Sequence, residues 1–392
     1  MIKLLIYDHA GLSGVEKGAA LRMLKKVGAF LRREVVFTCS LAAALVSMLL
    51  TAPGVHTLHD IDVETLCMLF GLMTTVAGLR RIGLFDKLGA KMTARLHHLR
   101  ALSMTLTTAC FVLAMAATND VALITLVPFT LLLMKQAQMK HQTLTVVLET
   151  IAANLGSMVT PIGNPQNLYL YSSGQLDALD FPALTWPYAA LAFALLMAGC
   201  MLVPSEPVVT AAAPEERLNP MKLALYGLLT LLVIATLIGY YPVLLLAVAV
   251  LLLTLTLDRA VLRQVDYTLL ATFVCFFVFV ASVKAYAPLA AWLEGLMAGS
   301  PLLTSLLASQ VISNVPACLL LSPFTQDASA LMLGVNLGGL GTLVASLASL
   351  ISFRLYGQAE GAKRGQFMLT FTLLNVLFLA ALLGLAWATS AL

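Results

Sequence analysis

Apolar residues run along this chain in long blocks separated by short polar islands, a pattern of membrane spans and loops rather than of amphipathic helices around one water-facing core. Between Lys222 and Asp258, for example, there is no Asp, Glu or Arg. Blocks near 35–52, 62–79, 184–203, 222–239, 242–257, 265–283 and 366–389 are long enough, or nearly so, to cross about 30 Å of hydrocarbon as helices rising about 1.5 Å per residue. The pattern predicts an all-α membrane protein.

Four further stretches break the rule. Residues 101–134 and 301–324 are interrupted at their centres by Thr118-Asn119-Asp120 and Ser313-Asn314, leaving arms that suit re-entrant hairpins. Residues 141–173 and 328–356 are apolar but broken by Gly, Asn and Pro, as at Asn154-Leu155-Gly156 and Gly163-Asn164-Pro165. They read as discontinuous spanning helices, whose freed backbone groups must line a cavity or be buried in protein. The expected architecture is about nine crossings plus two hairpins.

Composition strengthens this reading: 60% of the 392 residues are hydrophobic, 11% are charged, and the mean hydropathy is +0.94. The net charge of +4 serves topology, because the basic clusters at Arg32/Arg33, Arg80 to Arg100, Lys135/Lys140, Arg217/Lys222, Arg259/Arg263 and Arg354/Lys363/Arg364 all fall on one side, expected to be the cytoplasm. Of the 23 Lys and Arg, only Lys284 falls outside. The topology puts the chain in a bacterial inner membrane, with the N-terminus cytoplasmic and the C-terminus periplasmic. Residues 1–34 are a tail in which 15–33 form either a basic amphipathic helix on the inner leaflet or a partly disordered segment that fixes orientation. The six cysteines lie singly within apolar stretches and imply no disulfide framework.

Three local matches recur in the same order in both halves. IDVETLCMLFGLMTTVAGLR at 61–80 parallels VDYTLLATFVCFFVFVASVK at 265–284, with Asp62 over Asp266 and Arg80 over Lys284. TNDVALITLVPF at 118–129 lies over SNVPACLLLSPF at 313–324, and NLGSMVT at 154–160 over NLGGLGT at 336–342. The expected topology puts five crossings between Asp62 and Asp266, so the copies enter the membrane from opposite faces. The domains are then repeat 1 at 35–204, a cytoplasmic linker at 205–221 and repeat 2 at 222–392. In such an inverted repeat the hairpin tips meet near the midplane, the arrangement that alternating access uses.

Hairpin tips present unpaired N–H groups and the positive ends of helix dipoles, which attract anions. The candidate substrate-binding residues are Thr118, Asn119, Ser313, Asn314, Pro316, Asn164 and Asn167. The candidate cation-binding or coupling residues are Asp120, Glu149, Asn154, Gly156, Asn336, Gly338 and Thr342, with sodium at Asn119 and Asn314 as one option. The glycines allow close approach to the backbone. The competing structural roles are capping for Thr118 and Ser313, and helix stitching for Asn154 and Asn336. Asp120 and Glu149 have no acidic counterpart in the second copy, where Val315 and Leu331 stand. A carboxylate inside a membrane binds a cation, pairs or titrates. Asp120 has the alternative of capping an arm that begins at Val121, and Glu149 that of facing lipid headgroups.

At these motifs the sequence resembles the ion transporter superfamily of divalent-anion/sodium symporters, citrate transporters, arsenite permeases and D-type sodium/proton antiporters. TND at 118–120, SNVP at 313–316 and NLGSMVTPIGNPQN at 154–167 carry the resemblance, which spans the chain from about residue 35. It implies an elevator-type carrier, often a homodimer, that binds substrate and cation between the two tips. Where the dicarboxylate branch reads Ser-Asn-Thr at both tips, this chain has Asp120 and Val315. The acidic residue looks like the arsenite-permease and antiporter branches, and TPIGNPQN like uncharacterised anion permeases.

The expected function is secondary transport of a small anion coupled to sodium or protons, with no cofactor beyond the coupling ion and no nucleic-acid partner. Sodium/proton antiport is the alternative, and a passive channel is a weaker one. No HExxH, GxSxG or Walker A sequence is present, so intramembrane protease, lipase and ATP-driven chemistry lack their residues.

Overall fold

The computed structural model describes residues 23, 25–31, 34–51, 61–93, 96–135, 138–207 and 218–389. Of the expected N-terminal segment, 25–31 are helical. Residues 15–22 of that segment, and 208–217 of the linker, lie outside the described residues. Among the described residues the structure is helical, with a single isolated bridge between His98 and Pro207.

In the first half, α1 (Val35–Thr51) precedes the long helix α2 (Val63–Arg81) and the short helix α3 (Leu84–Thr93). A hairpin of α4 (Leu99–Ala117) and α5 (Asn119–Leu133) follows, then the broken helix α6 (Met139–Ser157) and α7 (Pro165–Ser172), and then α8 (Asp180–Cys200). In the second half, α9 (Pro220–Leu237) and α10 (Val243–Leu257) lead to the long helix α11 (Tyr267–Ala285) and α12 (Ala287–Gly299). The hairpin α13 (Pro301–Ile312) and α14 (Asn314–Leu321), the broken helix α15 (Ala328–Leu337) and α16 (Leu347–Tyr356), and α17 (Arg364–Ala388) complete it. From α2 to α8 and from α11 to α17, the order of elements is the same.

Local chemistry explains the boundaries. Asp62 and Asp266 cap α2 and α11 in the same way, each accepting from the third N–H along at 2.9 Å. Gly83, at φ +76°, turns the chain out of α2. The sequence pattern did not anticipate α12, which meets α13 at 119°. Gly299, the extended Ser300 and Pro301 stop one helix and start the next. The first hairpin returns to its own side, since Leu99, Leu102 and Leu106 near the start of α4 share a buried cluster with Leu133 and Met134 at the end of α5.

Among the described residues six helices are individually long and apolar enough to cross a membrane, and α4 is one of them. Helices α1 and α10 have 17 and 15 residues, short of the roughly 20 that a full crossing takes. Two larger apolar clusters form the core, one joining α2, α9, α10 and α11 to α7, α12 and α14, the other joining α4, α5, α6, α8 and α17 to α13 and α16, with α15 contributing to both.

Polar contacts tie the helix ends together at two opposite levels. At one level Asp258 is bonded by Arg81, by Lys222 at 3.0 Å and by the Tyr226 hydroxyl at 2.9 Å, and Lys135 lies 3.7 Å from Glu360. At the other, Thr65 bonds Ser172, Tyr171 bonds the Leu237 carbonyl and Tyr188 bonds Thr389. Burial alone would raise the Asp258 pKa, but hydrogen bonds from Lys222, Tyr226 and Arg81 outweigh it and hold the carboxyl below its ordinary value. A depressed folded-state pKa stabilises the fold above the ordinary carboxylate pKa, near 4, and this contribution is lost as pH falls through the folded value. Asp258→Asn is expected to lower thermal stability at pH 7 by about 3 kcal/mol, the scale for breaking a buried charge cluster. The gap to wild type should narrow below about pH 4, and an unfolding series against pH in detergent measures it.

Candidate functional site

Both hairpins turn on one residue with backbone in the left-handed half of φ space, Thr118 at +102° and Ser313 at +74°. Such a conformation is costly for residues other than glycine, and for a β-branched threonine above all. At each tip the following Asn folds its side chain back: Asn119 Oδ1 accepts from the Asp120 N–H and Asn314 Oδ1 from the Val315 N–H, both at 2.9 Å. Each tip is also anchored to a helix break, Asn119 N–H to the Gly163 carbonyl at 2.9 Å and Ser313 Oγ to the Ala345 carbonyl at 3.3 Å. Thr160 and Thr342 repeat the theme, donating their hydroxyls to the carbonyls of Met115 and Gln310, three residues before each tip.

The breaks are stitched to each other reciprocally. Asn154, at the end of α6, donates to Ser349 Oγ at 3.2 Å and accepts from Ser346 Oγ at 2.9 Å. Asn336, at the end of α15, donates to Asn167 Oδ1 at 2.7 Å and accepts from Asn164 Nδ2 at 2.9 Å. In both directions the partners stand 10 and 13 residues beyond the Asn of their own half. Asn167 Nδ2 also gathers the carbonyls of Ser157, Met158 and Thr160 at 3.1 to 3.3 Å, and Asn119 Nδ2 reaches Asn154 Oδ1 at 3.5 Å. Asn119, Asn154, Asn164, Asn167 and Asn336 thus lie in one buried neutral network. Asn314 is equally buried and packs beside Gly339, and Pro316 is buried in the first turn of α14.

Two glycines are required by packing. A Cβ on Gly156 would stand 2.3 Å from the Phe111 carbonyl oxygen of α4, and one on Gly163 would stand 2.0 Å from the Ser157 carbonyl oxygen. Gly338 is similarly closed in by Gly334 and Ser309. Thr342 stands apart, exposed, capping the short turn at Leu343–Ala345.

The two carboxylates behave differently from each other. Asp120 does not cap α5, because the helix begins at Asn119 and Thr118 Oγ1 accepts from Val121 N–H. Its side chain has no hydrogen-bond or ion-pair partner among the described residues, and it stands in the first turn, where its charge complements the helix dipole. Glu149 is fully buried, which overturns its headgroup-facing alternative. Thr130 donates to its Oε1, and its Oε2 has no partner among the described residues. It lies in the α4–α5–α6 core, outside the asparagine network.

The tips are therefore electrically unequal. At tip 1 the N–H groups of Asn119, Asp120 and Val121 are all bonded, and a carboxylate stands beside them. At tip 2 there is no acidic residue in the first turn, and the Asn314 N–H has no partner among the described residues.

The sequence pattern missed Ser346, Ser349 and Gln310. Continuing the match beyond Thr160 and Thr342 would have placed Asn164 over Ser346 and Asn167 over Ser349. Gln310 bridges the second break, its Nε2 donating to the Gly338 and Leu340 carbonyls at 2.8 and 2.9 Å. It lacks a polar counterpart, since Met115 occupies the equivalent place. Gln166 was missed as well: it is 1% exposed, and its Oε1 has no partner among the described residues.

Known proteins share this architecture and sequence. The chain is similar to the inner membrane protein YbiR of Escherichia coli, 34% identical over 304 residues that make up 75% of this chain and 80% of that one. A transporter of Methanocaldococcus jannaschii is 29% identical over 338 residues, 84% of this chain and 90% of that one. Among solved structures, the YdaH transporter of Alcanivorax borkumensis, described as having an unusual topology, matches with a TM-score of 0.56 at 14% identity, over 86% of this chain and 88% of that one. The family model described as "Citrate transporter" matches residues 28–333, so the chain belongs to the citrate transporter family and is a membrane transporter, not an enzyme.

Proposed function

We propose that this protein carries a small anion across the inner membrane coupled to a cation, with the anion at tip 2 and the coupling cation or proton at tip 1. The inequality of the tips carries the reading. An open N–H and neutral amide and hydroxyl groups at Ser313 and Asn314 suit an oxyanion or carboxylate, whereas the unpartnered Asp120 repels an anion and attracts a cation.

The scaffold in this reading is a pair of inverted repeats, 35–204 and 222–392, assembled as a homodimer with the N-terminus cytoplasmic. The reciprocal exchange between Asn154 with Ser346 and Ser349, and Asn336 with Asn164 and Asn167, supports it, because a two-fold relation makes each contact occur twice. In this reading the hairpins and broken helices move as an elevator against α2, α9, α10 and α11; the first hairpin packs with α6 in one apolar cluster, while α7, α14 and part of α15 meet α2, α9, α10 and α11 in the other. Glu149 is a second coupling group in this reading, because it is buried with one carboxyl oxygen bonded by Thr130 and the other without a partner among the described residues.

The test is uptake into proteoliposomes, with citrate as the first probe and sulfate and phosphate beside it, under imposed sodium or pH gradients. Asp120→Asn is expected to abolish gradient-driven accumulation by at least tenfold while leaving anion exchange measurable. Accumulation unchanged in Asp120→Asn removes Asp120 from coupling. The unpartnered Asp120 also favours a second reading, sodium/proton antiport, and a sodium-dependent pH change with no anion present would establish it instead.

A further inference from the structure

We propose that the cavity between α2, α3 and α5 is an anion-collecting vestibule charged by Arg80, and that Lys284 does the same work at the opposite mouth. This rests on the inverted-repeat carrier reading above. The cavity has a volume of about 670 Å³ and is lined by Arg80, Arg81, Asp86, Thr125 and Gln264, with an apolar wall from α5. That wall leads to the tip: Ile124, Pro128 and Leu132 follow Asp120 at intervals of four residues, one helical stripe about 18 Å long.

The charges in the cavity do not cancel. Of the charged lining residues, Arg80 and Arg81 are cationic and Asp86, which acts on Arg80, is the acid; outside the lining, Asp258 is shared by Arg81 and Lys222, so these five groups leave one positive charge in excess. Arg80 has no hydrogen bond or ion pair with any described residue. Thr125 lines the cavity, and its hydroxyl is buried with no hydrogen-bond partner among the described residues. A cleft with low-dielectric walls focuses such a field and raises the local anion concentration, which a nearly neutral binding site cannot do by itself.

The repeat supplies the second observation. Arg80 stands 18 residues after the cap Asp62, and Lys284 stands 18 after the cap Asp266. Since α11 starts at the Asp258 level and runs to the other, Lys284 marks the opposite end of the molecule, where the sequence puts no other Lys or Arg. Lys284 is exposed and close in sequence to α12, which leads into the second hairpin. Each mouth would then have one cation at an equivalent position, serving whichever hairpin opens there.

Charged thiol reagents test this without knowledge of the substrate. In a protein whose six native cysteines are replaced, Ile124→Cys is reacted with anionic sulfonatoethyl and cationic trimethylammonioethyl methanethiosulfonate in vesicles of known orientation. The anionic-to-cationic rate ratio is expected to fall about fivefold or more on adding Arg80→Gln, because the two reagents respond to the lost charge with opposite sign. Arg80→Lys should keep the ratio, which separates charge from misfolding. At Tyr286→Cys, on the opposite side, Lys284→Gln should lower the ratio and Arg80→Gln should not. An unchanged ratio in Arg80→Gln, or no reaction at Ile124→Cys, overturns the vestibule. A fall in the ratio in a protein that moves no anion leaves the vestibule standing and removes the carrier reading instead.

Discussion

Gly156→Ala is expected to lose most transport and to unfold well below wild type in detergent, although alanine is the better helix former. The added Cβ would stand 2.3 Å from the Phe111 carbonyl oxygen and 3.0 Å from its Cα. These are backbone atoms of α4, which cannot rotate away as a side chain would, so α4 and α6 must separate. Overpacking of this kind costs about 1–3 kcal/mol or more, against a helix-propensity gain of at most about 1 kcal/mol, so the clash prevails. Because α4 ends at tip 1, the displacement also lengthens the 3.5 Å contact from Asn119 to Asn154. Gly227→Ala is the control: nothing lies within 4 Å of its Cβ position, and it should be neutral or slightly stabilising. Thermal unfolding and proteoliposome uptake of the two variants side by side decide the matter. Equal behaviour would show that the helices are not in this contact.

Asn336→Ala should have the next largest effect, and a larger one than Asn154→Ala. Removing the Asn336 amide breaks its bonds to Asn167, Asn164 and the Met332 carbonyl. At about 0.6 kcal/mol per bond between membrane helices the loss is about 2 kcal/mol, and each buried partner left unsatisfied adds about 1–3 kcal/mol. Asn154 bonds mainly to Ser346 and Ser349, whose hydroxyls can turn to backbone carbonyls of their own helix. Its loss should therefore cost about half as much. The ratio of the two destabilisations, read from unfolding in one detergent, is the measurement. A larger effect for Asn154 would mean that the two breaks are not load-sharing in this way.

The asymmetry between the tips changes how the buried charges are to be understood. A carboxylate in the first turn of α5 is favourable to that helix, so Asp120 stabilises tip 1, and in the proposed reading it also turns an anion toward tip 2. Val315 leaves tip 2 without that negative charge. The sequence comparison showed only that an acid lacks a counterpart; its consequence depends on which N–H groups are already bonded.

Much of the fold could be read from the chain alone, because lipid is an exacting solvent. Unbroken apolar blocks must be helices, and polar or Gly/Pro interruptions within them must lie where protein or ligand can satisfy the backbone. Hence 118–120, 154–164, 313–314 and 336–342 could be located as tips and breaks without coordinates. Helix α12 was hidden because an apolar segment lying across another has the same composition as one continuing it. Ser346, Ser349 and Gln310 were hidden because serine and glutamine are common in loops, and only their partners make them part of the network.

What the sequence by itself determined was thus the membrane class, the repeated order of elements and the positions of the polar interruptions, since each follows from local hydrophobicity and backbone chemistry. Only the tertiary structure decided which interruptions touch: that Asn154 is held by Ser346 and Ser349, and Asn336 by Asn164 and Asn167, that Glu149 is buried against Thr130, and that Asp120 is left without a hydrogen-bond or ion-pair partner among the described residues. The asparagine pairings join residues more than 150 positions apart, and long-range contacts depend on how the helices pack, which no local pattern encodes.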